Sequence, residues 1–193
     1  MIPAFFFEKD IQRKPFSLLW VRAFKNIYNP WLAVKTLEQV LKTFPQATLT
    51  MVGPDDGVLQ ETKELAAKLG ILEKITFTGS LSNTELPTYY SSHSVFLNTT
   101  TYESFGMAVL EAAACGIPTV STPVGEIPML WKAGEEIMLT DGFEPDDMAK
   151  KVEELLSDNQ KWEAISQNGK NKANGFSWSQ IKPRWLRLFN MDF

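Results

Sequence analysis

With 193 residues, 44% of them hydrophobic, the chain is long enough for one α/β domain with a sizeable core but short for two. The formal net charge of −4 argues against a nucleic-acid partner, which would require a clustered excess of Lys and Arg. No apolar run approaches the roughly 20 residues of a membrane span, and the first residues lack the pattern of a signal peptide. One cysteine, Cys115, and one histidine make neither an internal disulfide nor a zinc site, so we expect a cytoplasmic domain.

Short apolar runs alternate with stretches of helical periodicity along the chain. The predicted strands are 17–23, 47–53, 74–79, 94–99, 118–123 and 136–139. The first helix is expected to follow an Asn29 cap, and later helices are predicted at 58–69, 83–91, 104–115, 145–156, 160–173 and 179–189. Regular alternation of apolar strands and helices predicts a doubly wound, mostly parallel sheet of about six strands with helices on both faces.

Glycines collect at the edge of this predicted sheet where a ligand would bind. Ligands of doubly wound folds lie beyond the carboxyl ends of the strands. Four predicted strands are followed there by a glycine: Gly53, Gly79, Gly106 and Gly125. A single glycine would indicate only a strand-to-helix turn. Four along one edge favour a ligand that approaches the backbone closely.

The segment 101–111, TYESFGMAVLE, leads from the loop after the fourth predicted strand into a helix. Two carboxylates, Glu103 and Glu111, are spaced to accept hydrogen bonds from separate hydroxyl groups of one extended ligand. For each taken alone, a structural role is an equal alternative: a helix N-terminal charge for Glu103 and a solvated helix face for Glu111. The first backbone N–H groups of the predicted helix lack intrahelical acceptors, so they suit a diphosphate or a sugar hydroxyl. They belong to Ser104, Phe105, Gly106 and Met107.

This segment resembles the E-x7-E signature of the retaining glycosyltransferases of family 4. The continuation EAAACGIPTVSTPVGEIP is similar to the pattern usual in that family, and Arg22, the MVGP and FTGSLSNTEL turns and the FSW at 176–178 also match its C-terminal domain. The resemblance implies the GT-B fold, in which two Rossmann-like domains face each other and the C-terminal one holds the sugar nucleotide. Residues 1–193 would then be one nucleotide-sugar-binding domain. Within it, residues 1–15 would be an interdomain linker, and 176–193 a helix that packs toward the N-terminal domain.

The resemblance also implies a role for each matching residue. Glu103, with the backbone of 104–107, would contact hydroxyls of the donor sugar, Arg22 would neutralise the diphosphate, and Glu111 would accept hydrogen bonds from the ribose. The family transfers a hexose with retention and without a metal, so we expect no cofactor and a UDP- or GDP-linked donor. The turn around Gly79, Ser80 and Leu81 would border the base. Gly53 would let the nucleotide lie close to the backbone.

The sequence departs from the family pattern in three places, namely within 27–29 and at positions 126 and 129. The lysine and glycine usual after the arginine fall within 27–29 here, so a second phosphate cation is either absent or supplied by Lys25. Glu126 stands for the second glycine of a pair after the fifth strand, and Met129 for the glutamate that follows. Both of the latter changes lie near the donor side of the cleft and bear on the identity of the sugar.

The leading hypothesis is therefore the donor domain of an enzyme that acts on a polysaccharide, glycolipid or similar acceptor. No acceptor domain precedes Met1, so we expect weak donor binding and no transfer from this chain alone, the other half lying in the same or a separate chain. A non-catalytic sugar-nucleotide-binding or scaffold module is one alternative. An epimerase or phosphorylase of the same fold is another, although the E-x7-E segment argues against the epimerase.

A basic amphipathic helix at 179–189 leaves peripheral membrane contact open, and we expect His93 at the surface. The base, sugar, acceptor and oligomeric state are not determined by these residues.

Overall fold

The computed structural model describes residues 11–189, so most of the linker predicted at 1–15 and the end of the predicted 176–193 segment lie outside the described residues. Strands and helices alternate through this range. The strands are β1 (Ser17–Val21), β2 (Thr48–Val52), β3 (Ile75–Gly79), β4 (Val95–Asn98), β5 (Thr119–Ser121) and β6 (Met138–Leu139). The α-helices are α1 (Pro30–Thr43), α2 (Leu59–Lys68), α3 (Leu86–Ser92), α4 (Met107–Ala114), α5 (Ile127–Leu130), α6 (Pro145–Ser157), α7 (Asn159–Asn174) and α8 (Trp178–Leu188). Short 3-10 helices lie at Asn26–Tyr28 and Leu72–Lys74.

The six strands form one parallel sheet in the order β3-β2-β1-β4-β5-β6, which confirms the predicted fold class. The chain winds outward from β1 to β3 and then returns to the centre, so that β4 pairs with β1 on its other side. The loops that leave β1 and β4 therefore diverge to opposite faces of the sheet. The crevice between their carboxyl ends is the place where ligands of doubly wound sheets bind.

The sheet is buried on both faces, which explains why its strands are continuous apolar runs. Successive side chains of β1 point to opposite sides: Leu18 and Trp20 belong to one buried cluster and Leu19 to the other. The first cluster includes residues of α1 and α6, and the second includes residues of α3 and α4. Two apolar layers thus hold the two central strands rigidly beneath the crevice.

Several local predictions are confirmed and others are wrong. Asn29 caps α1, its side chain accepting a hydrogen bond from the Leu32 N–H at 3.3 Å. The helix predicted at 104–115 begins three residues later, because Gly106 takes a left-handed conformation and becomes the N-cap of α4. The four-residue helix α5 was not predicted.

His93 is buried and not at the surface, contrary to prediction, because it is the C-cap residue of α3 and lies between that helix and the start of β4. Its Nδ1 lies 2.7 Å from the carbonyl of Tyr89 and its Nε2 lies 2.9 Å from the hydroxyl of Thr50. A carbonyl only accepts, so Nδ1 carries the proton and Nε2 accepts from Thr50. Burial is the main cause that lowers the pKa of His93 below its ordinary value.

The last helix, α8, has no buried residue, and three of its large apolar side chains, Trp178, Trp185 and Leu188, are 48–71% exposed. Its packing toward another domain stays a prediction. Among the helices of residues 11–189, none has the length and apolar character needed to cross a membrane.

Candidate functional site

An ion pair occupies the crevice between β1 and β4. Arg22 follows the last residue of β1, and Glu103 lies in the loop between β4 and α4. The Arg22 Nη2 donates a hydrogen bond to the Glu103 Oε2 at 2.8 Å, with the two side chains 16% and 15% exposed. Burial to this extent shields the pair from solvent, and a charge-assisted hydrogen bond is stronger than a neutral one. The two residues predicted to bind the diphosphate and the donor sugar are therefore in direct contact.

The Arg22 guanidinium has an incomplete set of hydrogen bonds. Its central carbon lies 5.4 Å from the centre of the Tyr28 ring, within the range of a cation–π contact. The Arg22 Nε is buried and finds no acceptor within residues 11–189. A buried N–H without a partner is costly. The guanidinium therefore has donor capacity beyond its contact with Glu103.

Two glycines fix the backbones of the ion-paired residues. A β-carbon at Gly53, after β2, would stand 1.8 Å from the Arg22 carbonyl oxygen, and one at Gly125, after β5, would stand 1.8 Å from the Glu103 carbonyl oxygen. The loop beside each ion-paired residue thus contains a glycine that has no space for a side chain. The sequence analysis explained Gly53 by close approach of the nucleotide. The structure offers another reason for a glycine there, which is its contact with the Arg22 carbonyl.

Buried threonines hold the loop that carries Glu103. The Thr99 hydroxyl accepts from the Trp20 Nε1 at 2.9 Å and donates to the Tyr28 carbonyl at 2.7 Å. The Thr122 hydroxyl donates to the Thr100 carbonyl at 2.6 Å. These bonds tie the loop to β1, to the Tyr28 turn and to the end of β5. Sequence reasoning missed these residues, although three consecutive threonines directly after an apolar strand are a usable signal.

Glu111 lies on α4 beside the same guanidinium. Tyr90, fully buried on α3, donates a hydrogen bond from its hydroxyl to the Glu111 Oε2 at 3.4 Å. Burial raises the pKa of Glu111 above its ordinary value, and this rise is opposed by the positive charge of Arg22 and by the Tyr90 hydrogen bond. The alternative of a solvated helix face is therefore wrong. One guanidinium acts on both carboxylates of the predicted pair.

The N-terminus of α4 differs from the sequence prediction because the helix starts late. The Ser104 N–H donates to the Glu103 Oε1 at 3.1 Å, and the Phe105 ring packs on Phe176 at a centroid distance of 5.6 Å. A β-carbon at Gly106 would lie 3.2 Å from the Ile127 side chain, and the left-handed φ of +85° also favours glycine at this position. Of residues 104–107, only Met107, which is 44% exposed, contributes an N–H to the first helical turn.

Lys25 and the turn after β3 lie at the margin of this arrangement. The Lys25 Nζ pairs with the Asp56 carboxylate at 2.9 Å, both side chains being about half exposed, which gives the predicted phosphate role no support. Gly79 and Ser80 are exposed at the end of β3, and Leu81 packs partly against the second buried cluster. The Gly79 carbonyl accepts from the Gly53 N–H at 2.9 Å, which places this turn beside the Arg22 backbone.

Two further observations limit the chemistry of the site. Across residues 11–189, no three His, Cys, Asp or Glu side chains are grouped to hold a metal ion. Burial raises the pKa of the Cys115 thiol to about 12, so this residue is not a nucleophile near neutral pH. The crevice presents the Arg22 guanidinium, the carboxylates of Glu103 and Glu111, and the first N–H groups of α4.

A sequence profile of the family described as glycosyl transferases group 1 matches residues 1–172. The D-inositol 3-phosphate glycosyltransferase of Corynebacterium jeikeium is 28% identical over 176 residues, covering 88% of this chain and 42% of that protein. The mannosylfructose-phosphate synthase of Agrobacterium fabrum is 30% identical over 132 residues, covering 68% of this chain and 29% of that protein. The chain thus spans less than half the length of the curated relatives it matches.

Solved structures share the fold. Anabaena HepE, solved with UDP and glucose, superposes with a TM-score of 0.84 at 21% identity, covering 91% of this chain and 48% of that chain. The C-terminal domain of LpcC, a glycosyl transferase group 1 family protein of Francisella tularensis, superposes with a TM-score of 0.79 at 21% identity. That match covers 90% of this chain and 95% of the LpcC domain. At these identities the similarity establishes the architecture.

The contact between Gly125 and Glu103 predicts a position-specific loss of stability. Gly125→Ala puts a methyl group against the Glu103 carbonyl, whereas Gly134, with φ +76° against +58° for Gly125, has no other atom within 4 Å of an added β-carbon. We expect Gly134→Ala to lower the free energy of unfolding by about 1–2 kcal/mol, and Gly125→Ala to lower it by roughly 3 kcal/mol or more. Urea unfolding measures both, and equal losses would contradict the assigned contact.

The burial of Glu111 predicts a pH-dependent effect of Glu111→Gln. A carboxyl whose pKa is raised on folding stabilises the protein fully below its unfolded pKa of about 4.3, and this contribution is lost as the pH rises through the folded pKa. We therefore expect Glu111→Gln to gain stability relative to the parent as the pH rises from about 4 to about 7. Urea unfolding at both pH values tests this, with the exposed Glu73→Gln as baseline. A relative gain at the lower pH would show that burial does not dominate the pKa of Glu111.

Proposed function

We propose that this chain, which belongs to the glycosyl transferases of group 1, binds the sugar nucleotide from which such an enzyme transfers its sugar. The observation that carries the proposal is the buried pair of Arg22 and Glu103 at the crevice of the sheet. A cation and a carboxylate side by side match a ligand in which a diphosphate adjoins a hydroxyl-rich sugar. The HepE structures with UDP and glucose, and with UDP-glucose, place such a ligand on a protein of this architecture and so support the assignment.

The roles follow from the chemistry of each group. Arg22 binds the diphosphate, because a guanidinium donates several hydrogen bonds in a plane and keeps its charge at every physiological pH. Glu103 accepts hydrogen bonds from the hydroxyls of the sugar. Glu111, which accepts a hydrogen bond from Tyr90 of α3, also accepts from the ribose.

Transfer breaks the bond between the anomeric carbon and the diphosphate oxygen and forms one to an acceptor hydroxyl oxygen, which loses its proton, while negative charge grows on the leaving diphosphate. Arg22 and the first N–H groups of α4 stabilise this charge, so we propose a metal-independent reaction. Retention of configuration, membership of family 4 and a hexose as the transferred group are proposed from the resemblance of the 103–111 segment. The chain spans about half of the HepE chain, and we propose that the remaining half of the enzyme supplies the acceptor site.

We expect one class of sugar nucleotide to stabilise the chain against heat. The panel is UDP-glucose, GDP-mannose and ADP-glucose, each at millimolar concentration, and a ligand at 100 times its Kd raises the unfolding free energy by about 2.7 kcal/mol. Arg22→Met is expected to weaken that binding about tenfold or more, because it removes charge-assisted hydrogen bonds.

Arg184→Met is the matched control, since it removes the same charge from an exposed position of α8. It is expected to bind as the parent does. No shift with any of the three sugar nucleotides, or an equal loss in both arginine variants, would refute the proposed function.

A further inference from the structure

When no ligand is bound, the Arg22 guanidinium and the Glu103 carboxylate are each other's partner in an ion pair. We propose that Glu103 makes the site selective for a sugar nucleotide over the corresponding free nucleoside diphosphate, because it competes with the diphosphate for Arg22 until a sugar hydroxyl engages it. This inference rests on the proposed function. Glu103 would then determine which of two ligands with the same base, the sugar nucleotide or the nucleoside diphosphate, binds more tightly.

The competition arises because the carboxylate cannot withdraw by moving its backbone. The Glu103 carbonyl lies against Gly125, with no space for even a β-carbon between them. The Ser104 N–H engages Oε1 at 3.1 Å while Arg22 engages Oε2 at 2.8 Å, so both carboxylate oxygens are oriented. A diphosphate that reaches the guanidinium therefore meets a fixed negative charge beside it.

The protein surroundings make this repulsion strong. Both side chains are at most 16% exposed, and like charges within a few ångströms repel more strongly in such a setting than in bulk water. No other carboxylate within residues 11–189 is hydrogen-bonded to the guanidinium, as Glu111 acts on it through space. Glu103 is thus the anion that any ligand phosphate must displace or tolerate.

The two ligands differ in the groups that they offer to this carboxylate. A nucleoside diphosphate ends in a terminal phosphate whose last ionisation has a pKa of about 6, so near neutral pH it carries an additional negative charge. A sugar nucleotide bears its sugar on that phosphate and lacks the additional charge. Its hydroxyls also donate to Glu103 and replace the hydrogen bond that Arg22 gives up. The sugar therefore relieves the competition, whereas the bare diphosphate increases it.

The same contact favours release of the product. When the sugar has been transferred, Glu103 loses its hydroxyl donors while the diphosphate gains charge. The carboxylate then recovers Arg22 as its partner, which lowers the affinity of the site for the spent nucleotide. Selectivity for donor and release of product are two consequences of one 2.8 Å ion pair.

The test compares Kd values by titration calorimetry near neutral pH for two ligand pairs, UDP with UDP-glucose and GDP with GDP-mannose, using the base that the parent binds. Glu103→Gln retains the side-chain size and an acceptor for the Ser104 N–H. We expect it to bind the nucleoside diphosphate about threefold to tenfold more tightly and the sugar nucleotide about tenfold more weakly than the parent. Glu103→Asp, in which the carboxylate retracts from Arg22, is expected to shift both constants in the same directions.

Glu111→Gln is the matched control, because it removes a carboxylate that acts on Arg22 but is assigned to the ribose common to both ligands. It is expected to weaken both ligands by the same factor and to leave their ratio unchanged. If Glu103→Gln and Glu103→Asp leave that ratio unchanged while the parent binds both ligands, the inference is wrong and the proposed function stands. If the folded parent binds neither ligand of either pair, the proposed function itself fails.

Discussion

The contact between the Arg22 guanidinium and the Glu103 carboxylate joins two loops that are 81 residues apart in sequence. They meet because β1 and β4 are neighbours in the sheet although three helices and two strands separate them along the chain. A parallel sheet with this strand order leaves a crevice at that point, and the loops that follow the two strands border it. The chemistry of the domain is set by which residues stand there.

The rest of the structure keeps this contact in place. Gly53 and Gly125 let the neighbouring loops press on the carbonyls of Arg22 and Glu103, and the buried threonines bind the Glu103 loop to β1 and β5. The apolar clusters on both faces of the sheet hold the central strands from which these loops emerge. A site built on such supports loses little entropy when a ligand binds, since its groups are already oriented. The same rigidity prevents a charged ligand from avoiding Glu103 by pushing its loop aside.

Much of the fold could be read from the sequence, because apolar runs, helical periodicity and cap residues are local signals. The strands and the Asn29 cap were predicted in this way, whereas the roles of Arg22, Glu103 and Glu111 were inferred from the family resemblance and stay predictions. The sequence did not show that Arg22 and Glu103 touch, since a contact between distant residues leaves no local pattern. It also gave no sign that Gly53 lies against the Arg22 carbonyl or Gly106 against the Ile127 side chain, because a glycine that contacts protein has the same sequence signal as one that contacts a ligand. Burial of His93 and the pairing of Lys25 with Asp56 were missed for the same reason.

The proposed chemistry of the site depends most directly on the coupling of Arg22 to Glu103 before any ligand is present. A double-mutant cycle with Arg22→Met, Glu103→Gln and the combined variant measures that coupling as a difference of unfolding free energies in urea. We predict a favourable coupling of about 1 kcal/mol or more, as residues that share one buried hydrogen bond do not contribute independently. Additive losses, within about 0.3 kcal/mol, would show that the two side chains do not depend on each other and would contradict the account.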